Sequence, residues 1–357
     1  MLKMEKLRPY VCVAVNNFTR GTYPVHRIDA SGLFYQKDQG KVTTTPPVEH
    51  PLPRPCISFS PSPCRSGCGV LDFLGLFGLC QKRNLLAAVD YQGVSRVYDV
   101  DDCIVNITPA PQEPKCCEPV SIDLGGAFYV LDRQLIPGRQ KCFEALTFGP
   151  PNLFGTPRWH WRSIQPPPFI FDPGYETTRI GAYTVVGDSS IMISTPLGTY
   201  TFDTMSSSWD KAGDWELPFH GRVEFFPKYG AWLGFSAQDN RLCYSSKVGA
   251  TRHQPVLDMV WDDPNPQLLS DYPNPQRYTH IVKSQLVHLG SLEFCLVRLY
   301  EDVENELTEH GTIPQMERFI VLTGLVLKPS ESGSGIEMIP HKSQLYRFEG
   351  VSNCWIL

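Results

Sequence analysis

The sequence predicts an all-β chain, folded as a single β-propeller of about six blades. Three observations lead there. Fifteen Tyr, 19 Phe and 7 Trp favour pleated, half-buried strands. The 28 Gly and 32 Pro supply tight turns and exclude long helices. The third is a repeat. "YTFDTMSSSW", Tyr200 to Trp209, matches "YRFEGVSNCW", Tyr346 to Trp355, without a gap. Tyr200, Phe202, Asp203 and Trp209 stand against Tyr346, Phe348, Glu349 and Trp355. Aromatic residues alternating with polar ones before an acid read as a strand entering a hairpin, with the tryptophan opening the return strand.

In chain order, residues 1–9 form a short tail and the propeller spans 10–357, its first strand being "YVCVAV". "VHRIDASGLFY" is a weaker copy of the repeat, with Tyr35 six residues after Asp29. The Pro-rich stretch from Pro46 to Pro63 reads as a loop, and residues 46–84 depart most from a blade pattern. "LLAAVDYQG" and "SRVYDVDDCIV" follow, the latter placing Val105 six residues after Asp99. "FYVLD" sets Tyr129 and Leu131 before Asp132 and a longer turn. The acids at 29, 99, 132, 203 and 349 are separated by irregular steps, whereas a propeller blade takes about 40–50 residues. "RIGAYTVVGDSSIMISTPLG", "AWLGFSAQDNRLCYSS", "QLVHLGSLEFCLVRLYE" and "RFIVLTGLVLK" each read as strand, turn, strand, for roughly twenty short strands in all. Loops are expected at Pro264 to Gln276 and Pro329 to Gly335.

The block from Gly198 to Ser236, "GTYTFDTMSSSWDKAGDWELPFHGRVEFFPKYGAWLGFS", resembles the signature of a kelch-like plant family expanded in grasses and of unknown function. "RWHWRSIQPPPF", "FYVLD" and the terminal aromatic-Ile-Leu also resemble its landmarks. The resemblance runs from about Val11 onward and implies a kelch-like propeller, with no activity and no catalytic residues to carry over. Such propellers often follow an F-box, for which a first strand near residue 10 leaves no room in this chain.

Charge and cysteines narrow the function. A net charge of −5, with basic residues scattered, argues against a nucleic-acid partner. No apolar run approaches the roughly 20 residues of a membrane span. Without a signal peptide, the 12 cysteines read as reduced thiols of a cytoplasmic or nuclear protein. Cys56, Cys64, Cys68 and Cys80 offer only one pair at zinc-ligand spacing, and Cys116-Cys117 reads as a surface pair, so neither metal nor cofactor is expected. Ser236 lacks the second glycine of a nucleophile elbow. Asp214, Glu216 and His220 are more readily turn residues than an acid–base group, so no catalytic residue is assigned.

Trp215, Phe219, His220 and Arg222, in the connection after Trp209, are the candidate binding residues, because rigid aromatics and Arg dominate interaction hot spots. The expected function is a non-enzymatic, monomeric scaffold binding another protein through loops on one face. The alternatives are a small-molecule hydrolase or lyase at the central channel, or a prenylated, membrane-tethered propeller. The last rests on "CWIL", which fits a C-a-a-X box at Cys354. Lipidation of Cys354 is disfavoured, since this segment is expected to pair as a strand that closes the ring.

Overall fold

The computed structural model describes residues 9–17, 21–35, 46–63, 71–79, 83–115, 118–150, 155–248, 254–269, 277–308, 311–330, 335–348 and 351–357. Among the described residues the strands form antiparallel meanders of the kind that make propeller blades, six when the eight-stranded sheet is divided at its parallel pairing, and a two-stranded ladder besides. The predicted class, all-β and propeller-type with about six blades, stands. Helical residues among those described are confined to three short 3₁₀ turns, at Ser31–Leu33, Pro168–Phe171 and Pro266–Leu268.

Two compact units divide the chain, Met1–Phe59 with Val260–Leu357, and Ser60–Met259. In the first, sheet 1 runs in the order Val351–Ile356, Tyr10–Asn17, Tyr23–Asp29, Pro55–Phe59. The first strand, "YVCVAVNN", is flanked on both sides by partners, and that explains its unbroken apolar run. The last strand pairs with it at Val13↔Ile356, Ala14↔Trp355 and Val15↔Cys354. Cys12 and Leu357 complete the seam by exchanging backbone hydrogen bonds of 3.1 and 2.9 Å. Sheet 6 follows the order Arg277–Gly290, Glu293–Thr308, Gly311–Pro329, Ile336–Phe348, with Val48–Glu49 added in parallel. Val11, Val13 and Ile28 of sheet 1 share one core with Val297, Ile320 and Tyr346 of sheet 6.

The second unit holds the other four sheets. Sheet 2 comprises Leu71–Leu79, Arg83–Asp90, Ser95–Asp99 and Ile104–Thr108. Sheet 3 comprises Val120–Leu124, Ala127–Leu131, Phe143–Gly149 and Arg158–Ser163. Sheet 4 comprises Ala182–Val186, Ser190–Thr195, Gly198–Asp203 and Ser208–Gly213. Within this unit, sheet 5 comprises Phe219–Phe226, Ala231–Ser236 and Leu242–Ser245. Neighbouring sheets pack face to face. Leu85, Val89 and Val97 of sheet 2 meet Phe128, Val130 and Leu146 of sheet 3, and the other face of sheet 3 meets sheet 4 through Phe143 and Phe202, edge to face at 5.2 Å. Last strands are the exposed ones, as Ile104–Thr108 and Arg158–Ser163 show.

The repeat is half right. In sheet 4, Phe202 pairs with Trp209 across the hairpin, their rings 5.2 Å apart. Asp203 accepts the Met205 amide at 3.0 Å and the Ser206 hydroxyl at 2.8 Å, and these bonds hold its carboxyl below the ordinary range. Asp99 does the same in sheet 2, accepting the amides of Asp101 and Asp102. Asp29 likewise ends a third strand, while Asp132 ends the second strand of its sheet and is buried beside Arg139. The C-terminal copy is not a hairpin. Tyr346 and Phe348 stay in sheet 6, whereas Trp355 lies in sheet 1, because the three N-terminal strands of that sheet take their fourth from the chain's far end. Glu349 lies outside the described residues.

Two other expectations change. "RFIVLTGLVLK" is one strand, Gly311–Pro329, with no turn at Gly324. A Cβ at Gly324 would lie 2.9 Å from the Leu33 carbonyl oxygen, so glycine there permits close approach rather than reversal. The Pro46–Pro63 stretch is not all loop, since Pro55–Phe59 forms the edge of sheet 1, where proline's missing donor is tolerated.

Trp355 is 8% exposed and packs on Tyr23 at 5.5 Å. Trp355→Ala is expected to cost roughly 3–5 kcal/mol, read as a lower urea midpoint at unchanged slope. An unshifted midpoint would show that this strand does not hold sheet 1 together.

Candidate functional site

The first strands of sheets 4 and 5 run parallel and pair in register at Ala182↔Gly221 and Tyr183↔Arg222. Gly221 has φ +74°, and its amide donates to the Gly181 carbonyl at 2.7 Å. Only glycine takes that backbone without strain, and it coincides with a break in the sheet 5 ladder between His220 and Glu224. Past Arg222 the strands no longer pair, and a cleft of about 590 Å³ lies between residues 183–188 and 222–227.

The cleft's apolar wall is Tyr183, Val185, Phe225 and Trp232. Phe225 and Trp232 are cross-strand partners with ring centroids 4.3 Å apart. The Trp232 indole N–H is buried with no hydrogen-bond partner among the described residues. At the rim Arg222 Nε donates to Glu224 Oε1 at 2.7 Å, two residues along the strand. Glu224 chiefly, with Tyr183 and Asp123, raises the guanidinium's pKa against the opposing effect of burial. Hydrophobic surface with a few fixed polar groups suits capture of a ligand or side chain.

His220 looks elsewhere. Burial first, then the charges of Arg133 and Arg179, lower its pKa from 6.5, with Glu118 opposing them. The shift favours the neutral form of the ring.

The family model described as a protein of unknown function (DUF1668) matches residues 8–346. The chain belongs to this family. None of the curated protein sequences matches it. Among solved structures, this DUF1668 chain is similar to the β-propeller domain of Cps50 (Swd1) from Myceliophteria thermophila. The identity is 10% and the TM-score 0.38, over 89% of this chain and 94% of that one. The extracellular domain of the hybrid two-component system BT4673 from B. thetaiotaomicron gives 12% and 0.37, over 93% and 43%. Dihydro-heme d1 dehydrogenase NirN gives 10% and 0.35, over 99% and 77%.

The four candidate residues do not converge on one surface. Phe219 is 2% exposed and packs under Gly234, so it belongs to the core and is removed from any contact face. Trp215 lies against Gly213, and its carbonyl accepts the Thr199 hydroxyl at 2.6 Å, so it folds back on its own sheet. Arg222 lines the cleft and His220 joins the arginines. Nor is an acid–base trio assembled, since Asp214 pairs with Lys211 at 2.5 Å and none of the groups that shift His220 is Asp214 or Glu216. Ser236 is buried in its strand. Tyr183, Phe225, Trp232, Arg133 and Arg179 were not singled out in the sequence. The glycine between His220 and Arg222 was the signal, because it interrupts strand alternation where the cleft begins.

No group of His, Cys, Asp and Glu among the described residues could hold a metal. Cys64, Cys68, Cys80, Cys116 and Cys117 lie outside those residues, and Cys56 is exposed. Cys12, Cys142, Cys243, Cys295 and Cys354 are buried thiols outside any disulfide, and burial pushes Cys142 and Cys243 up to about 12. No helix among the described residues is long and apolar enough to cross a membrane.

A lowered histidine pKa sets the sign of its linkage. Its contribution to stability is full above pH 6.5 and is lost as the pH falls through that value toward the lower folded one. Arg179→Gln is expected to move the His220 NMR titration midpoint up toward 6.5. An unmoved midpoint would show that the two side chains are not coupled.

Proposed function

We propose that this chain is a non-enzymatic binding scaffold that recognises another protein through the cleft between the first strands of sheets 4 and 5. The observation that carries this reading is the pairing of an apolar wall with unsatisfied polarity. Phe225 is 40% exposed against Trp232, whose buried indole N–H has no acceptor among the described residues. A partner that inserts an apolar side chain and offers one backbone carbonyl would satisfy both, and Arg222–Glu224 would set its orientation.

The finer features of the reading belong together. The protein is a kelch-like propeller of a plant family, acts in the cytoplasm or nucleus as a monomer, and needs no cofactor. The absence of an assembled acid–base group among the described residues favours binding over hydrolase or lyase chemistry. Cys354 is buried in a paired strand, so a lipid there would require the strand to leave sheet 1, which disfavours the tethered alternative. The volume of about 590 Å³ favours one second reading, a small-molecule ligand in the same cleft.

Affinity purification with the wild type and with Phe225→Glu tests the proposal. A partner is expected with the wild type and its affinity is expected to fall more than about tenfold in the variant, with the melting temperature nearly unchanged. A partner retained equally by both proteins would overturn the assignment of the cleft.

A further inference from the structure

Beside the cleft, but separate from it, three backbone segments of the second unit that carry Arg133, Arg179 and His220 come together. Arg133 follows the second strand of sheet 3. Its Nε donates to the Ile180 carbonyl at 3.2 Å, while the Ile180 amide donates back to the Arg133 carbonyl at 2.8 Å. The clamp continues as a two-residue ladder, Gln134↔Arg179 and Leu135↔Thr178, which holds the backbones of residues 133–135 and 178–180 together. Gly221 enters from sheet 5, its missing Cβ only 4.0 Å from Arg133 Nη2. His220 precedes it and feels both arginine charges, with Glu118 the acid that acts on the ring among the described residues.

The decisive atom is Arg133 Nη2. It is buried and has no hydrogen-bond partner among the described residues. A guanidinium donor withdrawn from water without an acceptor is costly, and native structures leave few such atoms unexplained. Among the described residues, the field at His220 combines two arginine charges with one carboxylate. The neutral ring of His220 supplies a further donor, and it accepts a proton once negative charge arrives.

We propose that Arg133, Arg179 and His220 form a binding site for a doubly charged tetrahedral oxyanion of the phosphate type. Nη2 gains its acceptor, Arg179 supplies the second charge, and the glycine at 221 leaves room that a side chain would fill. Arg is suited to this role because its planar fork matches phosphate oxygens. The site is independent of the cleft and does not rest on the protein-binding proposal.

Calorimetric titration of the full chain with inorganic sulfate, inorganic phosphate and sodium acetate, at matched ionic strength in chloride, tests it. Sulfate keeps its charge across the range, so it isolates the protein's titration. Sulfate and phosphate are expected to bind with one-to-one stoichiometry and acetate at least about tenfold more weakly. Arg179 is exposed, so Arg179→Gln should fold normally, checked by its circular dichroism and melting temperature. The same variant should weaken sulfate at least about tenfold. Among the described residues, the charges of Arg133, Arg179 and Glu118 act on His220. Anion binding raises the ring's pKa, so sulfate affinity should grow as pH falls from about 7.5 to about 5.5, and His220→Gln should flatten that slope. No sulfate binding above the chloride control, equal binding of acetate, or an Arg179→Gln variant with wild-type affinity would each overturn the proposal. A pH slope unchanged in His220→Gln would remove His220 from the site.

Discussion

The constraint on which the first unit depends is that a sheet edge needs a partner. Tyr10–Asn17 carries apolar residues on both faces and would expose a full row of amides and carbonyls if left at an edge. Its outer partner comes from residues 351–356, so this sheet closes only when the chain's far end arrives. Loop-closure entropy makes such a non-local pairing slow to form, yet the cost grows only slowly with length. What offsets it is the core beneath, where Cys354 and Ile356 join Val13 and Val15 with Val297 and Ile320 of sheet 6. The same strand therefore satisfies backbone polarity and completes an apolar cluster.

Sheets 4 and 5 show what happens when pairing is cut short. Two registered positions hold the strands together, and Gly221 ends the contact by taking a backbone that other residues avoid. Both the cleft and the arginine pair lie at that point. One glycine thus places Arg222 toward the apolar wall and leaves space next to Arg133 Nη2. Loss of regular structure here is what makes room for recognition.

Local features were legible in the sequence because they depend on residues close in the chain. The acids at 99 and 203 were readable as turn acceptors, since each bonds amides two or three residues on. In Trp159-His160-Trp161 the faces alternate, with His160 bonded to Thr147 at 3.1 Å and both indoles against the core. What failed was anything set by a distant partner. Tyr346–Trp355 copies Tyr200–Trp209 residue by residue, but its return strand is claimed by residues 10–17, which no local pattern announces. Thr323-Gly324 looked like a turn, and the reason it is not is Leu33, which packs on Gly324 from near the other end of the chain. The candidate site divides in the same way. Arg222 was found from its own chemistry, whereas Tyr183, Trp232 and Arg133 matter only through their neighbours.

The buried charges sharpen the contrast that singles out Arg133. Lys115 and Glu144 are both fully buried, paired with each other, and further bonded to the Lys141 and Glu113 carbonyls and the Gln112 amide. Arg139 meets Asp132 at 3.2 Å, and Arg96 lies 3.9 Å from Asp90. Arg298 is buried against Asp263. Each of these cations has a carboxylate, as the cost of burying an uncompensated charge requires. Arg133 has instead a single carbonyl on Nε, and the acid nearest in effect, Glu118, acts on His220. Arg133 is half-buried, and no carboxylate pairs with it among the described residues, so an anion from outside is the partner assigned to its buried Nη2.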